Sequence, residues 1–218
     1  AKAGTTLSAK TLDVKEHAAL TSGGAMEVSE ATVGSVMANA GSTLHVKKLT
    51  STGEATLTSK DEATLDDVTA GTLAAESTAG SVKAGTLTAK TGNASVTAKT
   101  DVKIDALKAE AGSTTVKATE GKLDVTTLNA KKHAALTSGG AMEVTKATVG
   151  SVAAKAGTTL HVKKLTSTGE ATLTSKDEAK LDDVTAGTLA AESTAGSVNA
   201  GTLTTTGDAK VKAKTDVT

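Results

Sequence analysis

Residues 44–82 read LHVKKLTSTGEATLTSKDEATLDDVTAGTLAAESTAGSV, and the same stretch returns 116 residues later at 160–198 with one change, Thr64 to Lys180. A shorter repeat of 18 to 21 residues runs inside the long one when each unit is ended at its last apolar residue. Six short units make up the 116-residue block. A fixed period near 20 residues indicates a solenoid of stacked coils. The closing residues are Ala31, Leu49, Val68, Leu87, Leu107, Leu128, Ala147, Leu165, Val184 and Leu203.

Each unit has the pattern of short strands separated by turns. In the unit that closes at Val68, the segments 55–57 and 63–65 both read ATL, and polar turn residues lie between them. Apolar and polar residues alternate in a strand that has one buried face. We therefore predict an all-β fold, a right-handed parallel β-helix with coils of about 19 residues. We expect residues 1–218 to form one β-helical segment, an excerpt of a longer protein, with a six-coil block at 13–128 and its partial copy at 129–218.

The composition favours a narrow core. The chain has no Phe, Tyr, Trp, Pro, Cys or Arg, so its core must be filled by Ala, Val and Leu. Aromatic side chains usually bury the most surface, and a wide core is hard to fill without them. The 24 lysines balance 24 acidic residues, and there is no Arg or aromatic side chain for stacking, which argues against nucleic acid as a partner. No apolar run is long enough for a signal peptide or a membrane span.

The two long copies test the strand pattern within the chain itself. Ten of 75 positions differ between residues 13–87 and residues 129–203. Alternation predicts that Met37, Thr64 and Lys83 point outward, and all three are among the positions that change. The substitutions therefore fit a strand with one exposed face.

Alignment of the units on their closing residue predicts columns of charge. Lys47-Lys48 lies beside Asp66-Asp67 of the next coil, and Glu30 lies on the other side of Lys48. The second copy repeats the pairing as Lys163-Lys164 against Asp182-Asp183, but Lys146 replaces the acid Glu30 there. An exposed ion pair contributes at most about 1 kcal/mol. We therefore expect these columns to fix the register of the coils more than to stabilise them.

The sequence holds no convincing catalytic, metal or cofactor site. Asp66-Asp67 and Asp182-Asp183 resemble the paired carboxylates of polysaccharide-cleaving β-helix enzymes, but the two pairs are six coils apart, roughly 29 Å. Adjacent residues on a strand also tend to face opposite sides, which would separate the carboxylates within each pair. The Gly pairs at 23–24 and 139–140 lack the residues of a phosphate or calcium loop and fit tight turns better. We expect no enzyme activity, no metal and no cofactor.

Histidines and lysines supply the only candidate binding residues. His45 lies between two apolar residues and should point to solvent, and we expect all four histidines to be surface residues without a metal. A sulfated, heparin-like glycan could contact this cationic stretch, although its lysines face the predicted acids. The candidate residues are His45, Lys47 and Lys48, with their copies His161, Lys163 and Lys164.

The repeats also resemble a known family. Units such as AGTTLSAKTLDV, AGSTLHVKKLTSTGEATLTSKDEATLDDV and AGTLAAESTAGSV are similar to the central repeat region of filamentous haemagglutinin, the Bordetella-type adhesin family exported by two-partner secretion. The resemblance covers the whole chain. It implies a right-handed β-helical shaft, secretion to the bacterial cell surface through an outer-membrane partner transporter, and attachment of the full-length protein to host-cell glycans or receptors. It brings no binding residues, because the integrin-type Arg-Gly-Asp motif of the family needs an Arg that this chain lacks.

Three functions remain open at this point. The first is a structural shaft of a surface adhesin, which holds host-cell-binding regions at a distance and has a role in virulence. The second is a direct glycan-binding module, and the third is a polysaccharide-degrading β-helix enzyme. Retention on heparin at low salt would favour the second over the first.

Overall fold

The computed structural model describes residues 1–218 and confirms the predicted fold class, an all-β solenoid without helices. Nineteen strands join one sheet, and every pairing between them is parallel. The strands are β1 (Lys2–Ala3), β2 (Leu7–Ser22), β3 (Met26–Ala40), β4 (Leu44–Ser51), β5 (Glu54–Ser59), β6 (Ala63–Ala70), β7 (Thr72–Ser77), β8 (Val82–Ala89), β9 (Ala94–Ala98), β10 (Val102–Ala109), β11 (Thr114–Ala118), β12 (Leu123–Ser138), β13 (Met142–Ala156), β14 (Leu160–Ser167), β15 (Glu170–Ser175), β16 (Ala179–Ala186), β17 (Thr188–Ser193), β18 (Val198–Thr205) and β19 (Ala209–Ala213).

The coils stack in the register that the closing residues predict. Leu12 lies beside Ala31, Ala31 beside Leu49, and Leu49 beside Val68. The same column then continues without interruption to Leu203. Because like residues meet in neighbouring coils, the backbone hydrogen bonds of one coil are completed by the coils above and below it.

A coil has three short segments, one more than the sequence pattern suggested. In the coil that begins at β4, face A is residues 44–46, face B is residues 49–51 and face C is residues 55–59, with alternating burial along each. Lys47 and Lys48, between A and B, are both exposed although β4 is continuous. Two successive outward side chains mean that the chain bends there, and we name this bend the A–B corner. The residue that appeared only to close a unit is therefore the first residue of face B.

The core is narrow and continuous. A single cluster of 58 buried residues, mostly Ala, Val and Leu, runs along the stack. Met37 is 50 % exposed, and Thr64 and Lys83 also lie on the outside, as predicted. Buried serines complete the core where it meets a turn. Ser51 Oγ donates to the Gly34 carbonyl oxygen at 3.1 Å, which gives this buried hydroxyl a hydrogen-bond partner.

Glycine is required where two turns lie almost in contact. A Cβ on Gly34 would lie 2.5 Å from the Glu16 carbonyl oxygen of the preceding coil, and a Cβ on Gly150 would lie 2.5 Å from that of Lys132. The preceding coils bulge at this point, because the register shifts between Val14 and His17 and between Ala130 and His133. The glycines let the next coil pass beneath the bulge.

Candidate functional site: the charged ridge along face A and the A–B corner

The six candidate binding residues lie on two equivalent strands. His45 points outward from face A on β4, and Lys47 and Lys48 occupy the A–B corner beside it. Their copies occupy the same positions on β14. The two sets are six coils apart, about 29 Å along the stack. We call the outward residues of face A together with the A–B corner the charged ridge.

Every candidate residue of the first set contacts an acidic side chain within the chain. Lys47 Nζ lies 2.8 Å from Glu27 Oε1, and Lys48 Nζ lies 3.1 Å from Glu30 Oε1. His45 Nε2 lies 3.3 Å from Asp66 Oδ2. The predicted neighbours of Lys48 are confirmed, because Glu30 and Asp67 flank it in the ladder. In this copy, however, Lys48 forms its ion pair with Glu30 and Lys47 with Glu27, and neither lysine pairs with Asp66 or Asp67.

The second set shows one of the predicted pairs. Lys164 Nζ lies 3.1 Å from Asp183 Oδ2, because Lys146 stands where the first copy has Glu30 and offers no acid. Lys163 pairs with Glu143 at 2.6 Å, as Lys47 pairs with Glu27. His161 Nε2 lies 2.9 Å from Asp182 Oδ2. The lysine at the second corner position thus pairs with the preceding coil where that coil carries an acid, and with the following coil where it does not.

These contacts shift the pKa values in the direction that keeps both partners charged. A hydrogen bond from Lys47, and then its charge, lowers the pKa of Glu27, and the same contact raises the pKa of Lys47. Glu143 and Lys163 show the same lowered and raised pKa values for the same reason. The hydrogen bond with His161 lowers the pKa of Asp182. A general acid or base at neutral pH needs the opposite shift in a carboxylate, so these acids are suited to ion pairing rather than proton transfer.

The paired aspartates differ from their predicted orientation. Asp66 and Asp67 both point to solvent because they occupy the A–B corner, where alternation is broken. Asp66 is engaged by His45, and Asp182 by His161. The other two histidines bond to serines, His17 Nδ1 to Ser35 Oγ and His133 Nδ1 to Ser151 Oγ, each at 2.9 Å. No group of three or more His, Cys, Asp or Glu side chains is placed to hold a metal ion.

Two open grooves lie near the charged ridge and on face B. One of about 320 Å³ lies on face B and is lined by Lys108, Glu110, Asn129, Lys131 and Thr148, among others. Another of about 300 Å³ lies on the charged ridge between Asp66, Lys83, Lys103 and Asp105. Both are formed by side chains of successive coils, so they follow the axis of the rod rather than enclose a small molecule.

Glu27 and Glu143 are the site residues that sequence reasoning missed. Alignment on the closing residue considered only the two positions before it, and both glutamates lie further back, in the column of His45 and His161. Lysine is long enough to reach diagonally from the corner to that column. The signal was present in the same alignment, two columns to the left.

No family model, curated protein or solved structure matches the chain. No helix in it is long and apolar enough to cross a membrane.

Proposed function

We propose that this chain is a shaft segment of a secreted bacterial surface adhesin of the filamentous haemagglutinin type. In this role it holds host-cell-binding regions of a longer protein away from the bacterial surface. Secretion through an outer-membrane partner transporter and contact with host glycans or receptors by the full-length protein belong to the same proposal. Catalysis is no part of it.

The observation that carries the proposal is the seamless duplication of six coils. The buried column passes from the first block into its copy through Leu107, Leu128 and Ala147 without a break in register. Such a duplication adds about 29 Å of rod. It leaves the register of the coils unchanged, as expected when length itself is selected.

The test changes length and keeps everything else. Deleting residues 13–128 joins Leu12 to Asn129, which occupies the place of Asp13, so the shortened chain retains the native register. Both chains are displayed on a cell between a membrane anchor and an unrelated domain with a known cell receptor. Attachment should fall when the shaft is shortened by about 29 Å. Equal attachment by both lengths contradicts the proposal, as does attachment by the chain without the added domain.

A glycan-binding module is the second candidate, favoured by the repetition of one exposed cationic set on the same ridge. Two sets about 29 Å apart could engage one long sulfated chain at the same time, which raises avidity. The ion pairs to Glu27 and Glu30 act against this candidate because a glycan sulfate must compete with them. Salt-sensitive retention on heparin that disappears in a variant with Lys47, Lys48, Lys163 and Lys164 changed to Gln would favour it over the shaft.

A further inference from the structure

The two copies differ most in charge, and the difference is concentrated on one side of the rod. Residues 13–87 contain five lysines and ten acids, and residues 129–203 contain eight lysines and seven acids, so the formal charge changes from −5 to +1. Three replacements account for five of these six units, namely Asp13 to Asn129, Glu16 to Lys132 and Glu30 to Lys146. All three lie on face B or at its edges.

Face B is a strip with a mostly neutral centre and charged edges. Its outward column is largely threonine, with Lys108 and Asn129 between two threonine runs. The charged residues of this strip, from the second corner residue to the start of face C, give −3 in the first copy and +2 in the second. The first set is Asp13, Lys15, Glu16, Glu30, Lys48, Glu54 and Asp67, and the second is Lys131, Lys132, Lys146, Lys164, Glu170 and Asp183. The two threonine runs are Thr32, Thr50, Thr69, Thr88 and Thr148, Thr166, Thr185, Thr204.

Several of these charges have no partner within the chain. Asp13, Glu16 and Asp67 in the first copy make no ion pair, and neither do Lys132 and Lys146 in the second. An acidic half and a basic half on one strip are complementary to each other but lie at opposite ends of the stack. They cannot meet in one molecule.

We propose that face B is the interface of an antiparallel dimer of this chain. A two-fold axis across the rods brings the acidic half of each protomer against the basic half of its partner, so both halves are satisfied at once. A parallel pair in register would instead place like charges together. The dimer does not depend on the chain serving as a shaft.

In one register of the dimer, Glu30 of one protomer lies opposite the partner's Lys146, the residue that replaces it in the second copy. When the coil of Glu30 faces the coil of the partner's Lys146, the coil of Glu54 faces the coil of the partner's Lys131 and Lys132. The symmetric contact occurs at the other end, so each pairing is made twice. Thr88 then lies on the two-fold axis, opposite the partner's Thr88. Lys90 is the one like-charge neighbour near the axis. An acid, Glu110, lies on the adjacent coil, where its hydrogen bond with Lys108, and to a smaller extent the charge of Lys90, lowers its pKa.

The strip is large enough for a specific interface. Nine overlapping coils span about 40 Å at the spacing of paired strands. Five residues across the strip give a width of about 16 Å. The product, roughly 650 Å² on each protomer, is near the lower limit of a standard interface. We therefore expect a dimer of modest affinity that is sensitive to salt.

Charge reversal and its repair test the pairing. Sedimentation equilibrium of the 218-residue chain at low salt should show a dimer that dissociates as salt is added. Glu30→Lys and Lys146→Glu should each weaken the dimer about tenfold, and the double variant should restore it. Each residue already occurs at the equivalent position of the other copy, so the fold tolerates both. The matched control is Thr64→Lys, a copy difference on face A, which should leave the dimer unchanged.

Engineered cysteines test the direction, since the chain has none of its own. Thr88→Cys should form an intermolecular disulfide on oxidation, and Thr32→Cys should not, because Thr32 faces the partner's Thr148. Cross-linking of both variants would mean a parallel pair and overturn the proposal. A monomer at low salt, association that persists at high salt, or failure of the double charge variant to restore the dimer would also overturn it.

Discussion

The first block and its copy have the same backbone register but different ion pairs. Met26, Leu44 and Ala63 are neighbours in one block exactly as Met142, Leu160 and Ala179 are in the other. Yet Lys48 reaches back to Glu30, whereas its copy Lys164 reaches forward to Asp183. The chain therefore keeps its register when a charge column is broken and reversed.

This difference shows which interactions set the fold. We expected the charge columns to fix the register, but Lys146 beside Lys164 is a like-charge neighbour and the ladder is unchanged there. The buried column of Ala, Val and Leu is the same in both blocks. Removal of apolar surface from water stabilises the fold by about 25 cal/mol per Å². Summed over the buried column, this free energy is much larger than that of an exposed ion pair. The buried column is thus the feature that aligns the coils.

The largest effects should come from that buried column and should be equal in the two blocks. Leu49 and Leu165 are each 2 % exposed and stand at equivalent positions. Leu49→Ala and Leu165→Ala should each lower the free energy of unfolding by about 2–4 kcal/mol, through lost burial and the cavity left behind. Urea unfolding followed by far-ultraviolet circular dichroism measures both. Costs that differ by more than about 1 kcal/mol would mean that the blocks are not equivalent in packing.

A smaller but still equal loss is expected at the tight turns. Gly34→Ala and Gly150→Ala place a methyl group 2.5 Å from a backbone carbonyl oxygen of the preceding coil, so the coils must separate locally. We expect about 1–3 kcal/mol of destabilisation for each variant, the range for overpacking. Gly4 has nothing within 4 Å of the added Cβ and serves as the control. Thermal unfolding of the three variants decides whether the close approach or the loss of glycine itself matters.

The sequence predicted the stack well and the corner poorly. Leu87, Leu107 and Leu128 recur with enough regularity that their column could be aligned by eye, and the ladder confirms it. The A–B corner could not be recognised from the sequence. If β4 were straight, Lys47 and Lys48 would point to opposite sides, and only the bend between faces A and B turns both of them outward. Ser51 has the polarity that is typical of a turn residue, but it is buried and donates to Gly34. Local polarity does not show where a coil bends; only the packing of neighbouring coils does.

The ion pairs themselves should respond differently in the two blocks. In Glu30→Gln, Lys48 can turn to Asp67, its neighbour in the ladder, as Lys164 turns to Asp183. We expect a loss of less than about 0.5 kcal/mol. In Asp183→Asn, Lys164 is left beside Lys146 with no acid in either neighbouring ladder position, and the loss should approach about 1 kcal/mol.

Both losses should vanish in about 1 M salt, where surface charges are screened. The pair of variants is measured by urea unfolding at low and high salt. Equal losses at low salt would show that Lys48 does not exchange partners. A loss that survives at high salt would point to a change other than the ion pair.

The smallest effect concerns pH and should again be the same in both blocks. Glu27 and Glu143 have lowered pKa values in the folded chain because of their contacts with Lys47 and Lys163. A carboxylate whose pKa is lower in the folded state stabilises the fold above its unfolded pKa, and this contribution is lost as the pH falls through the folded pKa. The melting temperature should therefore decrease as the pH falls from about 5 to about 3. Lys47→Gln and Lys163→Gln should reduce that decrease by similar amounts, while Lys155→Gln, an exposed lysine without an ion pair, should not. A decrease of the same size in all variants would mean that other carboxylates carry the acid sensitivity, and the two glutamate–lysine pairs would then contribute nothing measurable to the rod.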